Sequence, residues 1–190
     1  TRRSSDLSEE YPALNLPFAE RGAAFRESFD YIRHMGKDSP AFENGFGSPK
    51  GNLDMLPKPT SGQLPLLITG GSQQDPEWIA RHGDGWMTYP RNTGVQARII
   101  SDWRARVEAV GSSQKPAMQP LYVDLTQDPD TRPQPIHLGF RLGVNHLRDY
   151  LRSLEQIGMN HVALNLRFNQ ADIETTLKRL ADDILPDFHV

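Results

Sequence analysis

Gly70, Gly71 and Ser72 stand between the apolar run Pro65-Leu-Leu-Ile-Thr69 and, two glutamines later, Asp75-Pro76. Glycine lets a backbone approach a ligand and take φ > 0, a helix start offers N–H groups with partial positive charge, and serine adds a hydroxyl donor. Those residue types in that order suit a terminal phosphate group. The plain alternative is a tight turn from strand to helix in which Asp75 caps the helix, setting a carboxylate beside the same turn. A second cluster, Arg81-His-Gly-Asp-Gly-Trp86, gathers a cation, an imidazole and a carboxylate within six residues. Its position argues for a structural role, because it joins a helix end to the start of the next strand, the face of a parallel α/β sheet that carries stability rather than ligands. Gly83 suits a left-handed helix stop there, and Asp84-Gly85 suits the turn.

The same polarity puts Thr88 to Arg91, Asp124 to Thr126 and Asn165 to Arg167 at C-terminal strand ends, the ligand-facing side. Arg91 and Arg167 are the cations there, and a guanidinium offers phosphate two donors in one plane. Arg91 follows Met87-Thr-Tyr-Pro90 and is the one assigned to binding; Arg167 reads as a surface arginine or half of an ion pair. His161 falls at a strand start and reads as a core histidine, Trp86 and Trp103 as core aromatics, and Asp128-Pro-Asp-Thr-Arg-Pro133 as an exposed turn cluster on the side where loops can act as lids. No residue stands out as a catalytic acid or base.

Four strand-and-helix pairs must position these residues. The pattern predicts a strand over 64–69 with a helix over 76–82, where Asp75 caps and Pro76 takes the first helical position. A strand over 86–89 precedes a helix over 95–110 whose apolar face is Val95, Ile99, Trp103, Val107 and Val110, ended by Gly111. A strand over 119–125 leads through a long proline-rich loop to a helix over 144–156 that buries Leu147, Leu151 and Leu154. A strand over 161–166 precedes a helix over 171–184 with the stripe Ile173, Leu177, Leu180 and Ile184. Ahead of these, residues 1–18 read as polar and irregular, broken by Pro12 and Pro17, and 19–35 as a helix stopped by Gly36. Residues 36–63 read as a loop long enough to be functional or mobile. The chain is thus expected to be one domain over 1–190, with a lead-in over 1–63 and four βα units over 64–190.

Composition narrows the class. A length of 190 residues suffices for a core without staples. A net charge of -3, with no basic run, argues against nucleic acid as a partner. The absence of cysteine excludes disulfides, thiolate metal sites and cysteine nucleophiles. The histidines at 34, 82, 137, 146, 161 and 189 lack the spacing of a zinc site, so no metal is expected. The apolar runs are far short of the ~20 residues of a membrane span, and no charged-then-apolar leader opens the sequence, so a cytoplasmic protein is expected.

Four βα units make half of an eight-stranded barrel or an open doubly wound sheet; the latter would want a Gly-x-Gly-x-x-Gly fingerprint, and none occurs. Glu10-Tyr-Pro-Ala13, Arg21-Gly-Ala-Ala-Phe-Arg-Glu27, Pro65-Leu-Leu-Ile-Thr-Gly-Gly-Ser72, Arg81-His-Gly-Asp-Gly-Trp86 and Gly158-Met-Asn-His-Val-Ala-Leu-Asn165, in that order, resemble the luciferase-like monooxygenase family. The resemblance implies an α/β fold, the C-terminal half of a TIM-type (β/α)8 barrel comprising about strands five to eight. It also implies a flavin-dependent oxidoreductase or monooxygenase acting on a small organic substrate with reduced FMN and oxygen, or with the deazaflavin F420 by hydride transfer, and a separate flavin reductase as supplier. It assigns the FMN phosphate to Gly70, Gly71 and Ser72. The family's opening strands supply much of the flavin and substrate pocket, and the polar start Thr1-Arg-Arg-Ser-Ser5 is that expected of a fragment. The alternatives are a non-catalytic flavin- or phosphate-binding half-barrel, an inactive fragment that self-associates, and an aldolase- or isomerase-type phosphate barrel, for which Asp124 is the candidate strand-end carboxylate. A half-barrel leaves two sheet edges to pair, so a homo-oligomer is expected.

Overall fold

A computed structural model describes residue 8 and residues 10–112 and 114–188 of the chain; the opening Thr1–Ser5 lies outside the described residues. The chain divides into two compact units, Thr1–Leu66 with Gly71–Asp75, and Leu67–Gly70 with Pro76–Val190.

In the first unit a short helix α1 (Glu10–Ala13) and a 3₁₀ turn (Phe18–Glu20) lead into α2 (Arg21–Met35). Pro12 and Pro17 were expected to break all regular structure here. Pro12 instead lies inside α1, where the first N–H groups of a helix have no intrahelical partner to lose, and Pro17 caps the 3₁₀ turn. Phe29 is the buried residue of α2. The long segment after it is anchored rather than regular: bridges pair Ala41 with Lys50 and Asn44 with Gly47, and Tyr31 takes the rings of Phe42 and Phe46 at 5.4 and 5.9 Å. Arg33 donates to the Leu64 carbonyl at 2.8 Å. Hydrogen bonds from Lys58 and the Ser39 amide hold the Asp54 carboxyl below its ordinary value.

Among the described residues the second unit carries six strands: β1 (Leu67–Thr69), β2 (Gly85–Met87), β3 (Ala117–Leu125), β4 (Gln134–Ile136), β5 (Gly139–Leu142) and β6 (His161–Asn165). Its helices are α3 (Pro76–His82), α4 (Thr93–Ala109), α5 (Val144–Gln156) and α6 (Ile173–Asp183). The four expected βα units are present, and β1, β2, β3 and β6 run parallel. The loop expected after β3 instead holds a β4–β5 hairpin whose second strand lies parallel to β3.

Strand β3 is the centre. The amides of Trp86 and Thr88 donate to the carbonyls of Pro116 and Met118, and further along the same edge the amides of Tyr122 and Thr126 donate to Leu138 and Leu142. The opposite edge pairs with β6, beginning with the Asn160 amide on the Ala117 carbonyl. Proline cannot donate to a ladder, and Pro120 occupies the place on the shared edge where β2 has ended and β5 has not begun. By the period of two along a strand, Leu121, Val123 and Leu125 face the helices, where they cluster with Leu142, Leu147, Leu151, Leu180 and Ile184. Pro120, Tyr122 and Asp124 face the other way.

Two helix faces differ from expectation. In α4 the buried residues are Gln96, Ile100, Trp103 and Val107, so the stripe begins one position after Val95 and Ile99. The reason is polar: Gln96 Nε2 donates to Gln119 Oε1 of β3 at 2.9 Å, a contact that hydrophobicity does not encode. In α6 Ile173 and Leu177 are exposed, and Thr176, Leu180 and Ile184 are buried instead. Thr176 turns inward because its hydroxyl accepts from Asn169 at 2.9 Å. Asp172 caps α6 through the Thr175 amide and hydroxyl, which lowers its carboxyl below the ordinary 3.8.

The hairpin closes onto β3 through Gly139, opposite Tyr122, where a Cβ would fall 1.8 Å from the Tyr122 carbonyl oxygen. Gly139→Ala is therefore expected to cost about 3 kcal/mol in urea unfolding, the upper range for overpacking. A loss below about 0.5 kcal/mol, the surface-substitution range, would contradict this pairing.

Candidate functional site

The turn after β1 is left-handed at three of four positions, with φ of 60° at Gly70, 46° at Ser72 and 57° at Gln73. Outside glycine such conformations cost roughly 1–2 kcal/mol per residue. Gly70 fixes the strand end, its amide donating to the Met87 carbonyl at 2.7 Å and its carbonyl accepting from Trp86 Nε1 at 2.8 Å. At Gly71 the space a Cβ would fill is open. Turns of alternating handedness gather consecutive N–H groups into an anion-sized concavity.

The helix starts at Pro76 as expected, with Gln73, Gln74 and Asp75 between it and Ser72. The Gln74 amide closes a turn on the Gly71 carbonyl at 2.8 Å, and α3 begins at Pro76, because two left-handed residues cannot enter an α-helix. Within the first unit α2 holds this turn. Arg21 Nη2 donates to Gln73 Oε1 at 3.0 Å, Arg26 Nε donates to Gln74 Oε1, and Arg26 Nη2 lies 3.5 Å from Asp75 Oδ2. Gln74 gives its Nε2 to the carbonyls of Gly22 and Ser72, each at 2.9 Å. Arg21 and Arg26 carry no assignment in the sequence reading; their five-residue spacing in Arg21-Gly-Ala-Ala-Phe-Arg-Glu27 was the available signal.

In the second unit Arg91 follows the end of β2, its Nη1 donating to Thr88 Oγ1 at 3.1 Å and to the Tyr89 carbonyl at 3.0 Å. Asn92 then caps α4 by accepting from the Val95 amide.

The ends of β3 and β6 carry a second constellation. Asp124, 4% exposed, pairs with Arg141 of the hairpin at 3.4 Å and accepts from the Gln170 amide at 3.0 Å, while Arg141 also donates to Gln170 Oε1 at 2.8 Å. On the same face of β3, Tyr122 meets His137 and Phe168 with ring centroids 5.7 and 5.1 Å apart. Arg167 extends over Phe168 at 5.8 Å, so it packs on a ring at the surface. The sequence reading reached Asp124 by strand polarity; it missed Arg141, His137 and Phe168 because the hairpin that brings Arg141 and His137 back was read as loop.

His161 is exposed, not core, because Val162 and Leu164 take the helix-facing side and the alternation turns His161 away. Trp86 and Trp103 pair at 5.5 Å, with Trp103 buried. Gly83 lies in the structural connection as expected, but for space rather than handedness: a Cβ there would fall 2.9 Å from Ile68 Cδ1. The loop over 128–133 caps α5, with the Gly143 and Asn145 amides on the carbonyls of Thr131 and Pro129. Burial pushes the Tyr150 phenol up, against a weaker effect of its hydrogen bond to Gln119. Among the described residues no group of three or more His, Asp or Glu could hold a metal, and no helix is long and apolar enough to cross a membrane.

Comparison with known proteins gives a consistent likeness. The model of the luciferase-like monooxygenase family matches residues 4–130. An uncharacterized protein of Mycobacterium tuberculosis is 29% identical over 94 residues, 47% of this chain and 33% of that protein. Among solved structures, monooxygenase RslO1 from Streptomyces bottropensis superposes with a TM-score of 0.65 at 16% identity, over 96% of this chain and 66% of that one. DmoA from Hyphomicrobium sulfonivorans gives 0.62 at 13% identity, over 90% and 56%. An F420-dependent secondary alcohol dehydrogenase gives 0.60 at 12% identity, over 91% and 61%. The chain spans about a third of the curated relative and under two thirds of these last two structures, so its parallel sheet is a partial barrel.

The Asp124–Arg141 pair generates a stability test. Arg141→Met leaves a buried carboxylate with the Gln170 amide in place of a charge partner, and is expected to cost about 2 kcal/mol in urea unfolding, below the range for fully buried pairs because Arg141 is partly exposed. Asp124→Asn, whose amide oxygen still accepts from Gln170, is expected to cost less. The reverse order would place the energetic weight elsewhere.

Proposed function

This chain belongs to the luciferase-like monooxygenase family, and from that premise we propose that it forms the phosphate-holding part of a flavin-dependent oxidoreductase acting on a small organic substrate. The cofactor proposed is reduced FMN, with the deazaflavin F420 as the alternative. The observation that carries the reading is the turn after β1: left-handed at Gly70 and Ser72, with open space at Gly71. That backbone fits a phosphate, which needs several N–H donors and no intruding side chain. When bound, the reduced flavin supplies electrons to oxygen, or the deazaflavin a hydride, and the protein supplies binding and orientation.

In this reading Gly70 turns the strand end, and Gly71 and Ser72 take the phosphate through backbone N–H groups and the Ser72 hydroxyl. Arg91 contributes positive charge at the end of β2, its guanidinium oriented by Thr88 and Tyr89. Tyr122, His137 and Phe168 offer an aromatic surface at the C-terminal end of β3, where flat apolar surface keeps water from a reacting group. Reduced flavin would come from a separate reductase.

Titration of FMN followed by flavin fluorescence tests this. Saturable binding near or below ~10 μM is expected, lost in Ser72→Asp through charge repulsion. Equal binding by the two proteins would overturn the phosphate assignment, and a parallel titration with F420 chooses the cofactor.

A second reading, self-association, has its own observation. Strand β6 pairs with β3 on one edge, and among the described residues no strand covers the other. Beside it lies an apolar groove of about 380 Å³ lined by Leu151, Leu154, Met159, Val162, Leu164 and Phe188. Uncovered edges invite pairing. A dimer or larger species is expected by light scattering at ~50 μM protein; a strict monomer would contradict it.

A further inference from the structure

We infer that Arg26 is a positioning residue for the phosphate turn, acting through Gln74 and Asp75. The inference rests on the phosphate reading of Gly71 and Ser72 given above.

The geometric part begins with Gln74, which is buried and presents both ends of its amide to partners. Its oxygen accepts from Arg26 Nε. Because the oxygen is committed there, the nitrogen faces the Gly22 and Ser72 carbonyls, to which it donates at 2.9 Å each. Arg26 thereby sets the orientation of the amide that grips the peptide leaving Ser72. Ser72 and Gln73 are left-handed without being glycine, so the conformation needs support from outside the turn. Arg21 gives part of it, with Nη2 on Gln73 Oε1 and its guanidinium carbon 3.8 Å from the Phe18 ring centroid.

The electrostatic part concerns Asp75, the one carboxylate within 70–75. Three residues of fully extended chain reach at most ~11 Å, and the turn closed by Gln74 on Gly71 shortens that reach. Asp75 therefore lies within about one Debye length, ~8–10 Å, of a phosphate at Ser72 and would oppose it. The Arg26 guanidinium, 3.5 Å from the carboxylate, cancels that charge. Both side chains are about half exposed, so the pair adds little to folding stability. Its effect falls on the field at the turn and on the turn's shape.

The test compares FMN with riboflavin, which lacks the phosphate, on the wild-type chain, Arg26→Gln, Asp75→Asn and the double variant, by quenching of flavin fluorescence. Arg26→Gln is expected to weaken FMN binding about five- to tenfold and leave riboflavin unchanged. Adding Asp75→Asn is expected to recover most of that loss, which a merely structural role for Arg26 would not allow. Arg26→Lys, which keeps the charge but not the fork onto Gln74, should fall between wild type and Arg26→Gln. Arg26→Gln is expected to lower the thermal midpoint by a few degrees, because the buried Gln74 oxygen loses its donor, and Asp75→Asn is expected to leave that loss in place. The inference is overturned if Arg26→Gln binds FMN as wild type does, if it weakens both flavins equally, or if Asp75→Asn recovers nothing. A wild-type chain that binds FMN no better than riboflavin overturns the phosphate reading itself, and this inference with it.

Discussion

Strand β3 commits both its edges and both its faces. One edge is shared, bonded to β2 at its start and to β5 at its end, and the other carries β6. The handover on the shared edge falls at Pro120, the residue with no N–H to offer, so a proline that would weaken most central strands removes no ladder bond here. That interruption gives the hairpin room to come in beside the second half of β3. The hairpin in turn brings Arg141 to the buried Asp124 and His137 to Tyr122. The faces divide as strictly, with Leu121, Val123 and Leu125 in the helix-packed core and Tyr122 and Asp124 on the opposite side.

The turn after β1 is governed by a different economy. It has little apolar surface to bury and adopts backbone angles that oppose two of its residues, so side chains from α2 must hold it. Gly70 has both its amide and its carbonyl engaged at the end of β1. Strain of this kind is common where backbone atoms meet a ligand.

Much of this was legible in the sequence, and the reasons it was not fully so are specific. The Asp75-Pro76 start signal located α3, and the stripe Leu147, Leu151 and Leu154 located α5, to the residue. Helix periodicity misplaced the faces of α4 and α6, where Gln96 and Thr176 point inward to make hydrogen bonds and displace hydrophobic neighbours by one position. The β4–β5 hairpin was hidden because Pro133 and Pro135 read as loop, while Gly139 shows its reason only against the Tyr122 backbone. The polarity of βα units placed Arg81–Trp86 between a helix end and a strand start, and α3 does end at His82 with β2 beginning at Gly85. That polarity could not find Arg21 and Arg26, which reach the turn across some fifty residues of sequence.

We propose that the backbone at Gly71 and Ser72 receives the phosphate of a flavin. Amide chemical shifts in a ¹⁵N-labelled chain, recorded with FMN and with riboflavin, test it at the atoms concerned. Shifts concentrated at Gly71, Ser72 and Gln73 are expected with FMN, and none at those amides with riboflavin. Equal shifts with both ligands, or FMN shifts confined to Tyr122, His137 and Phe168 with none in the turn, would contradict it.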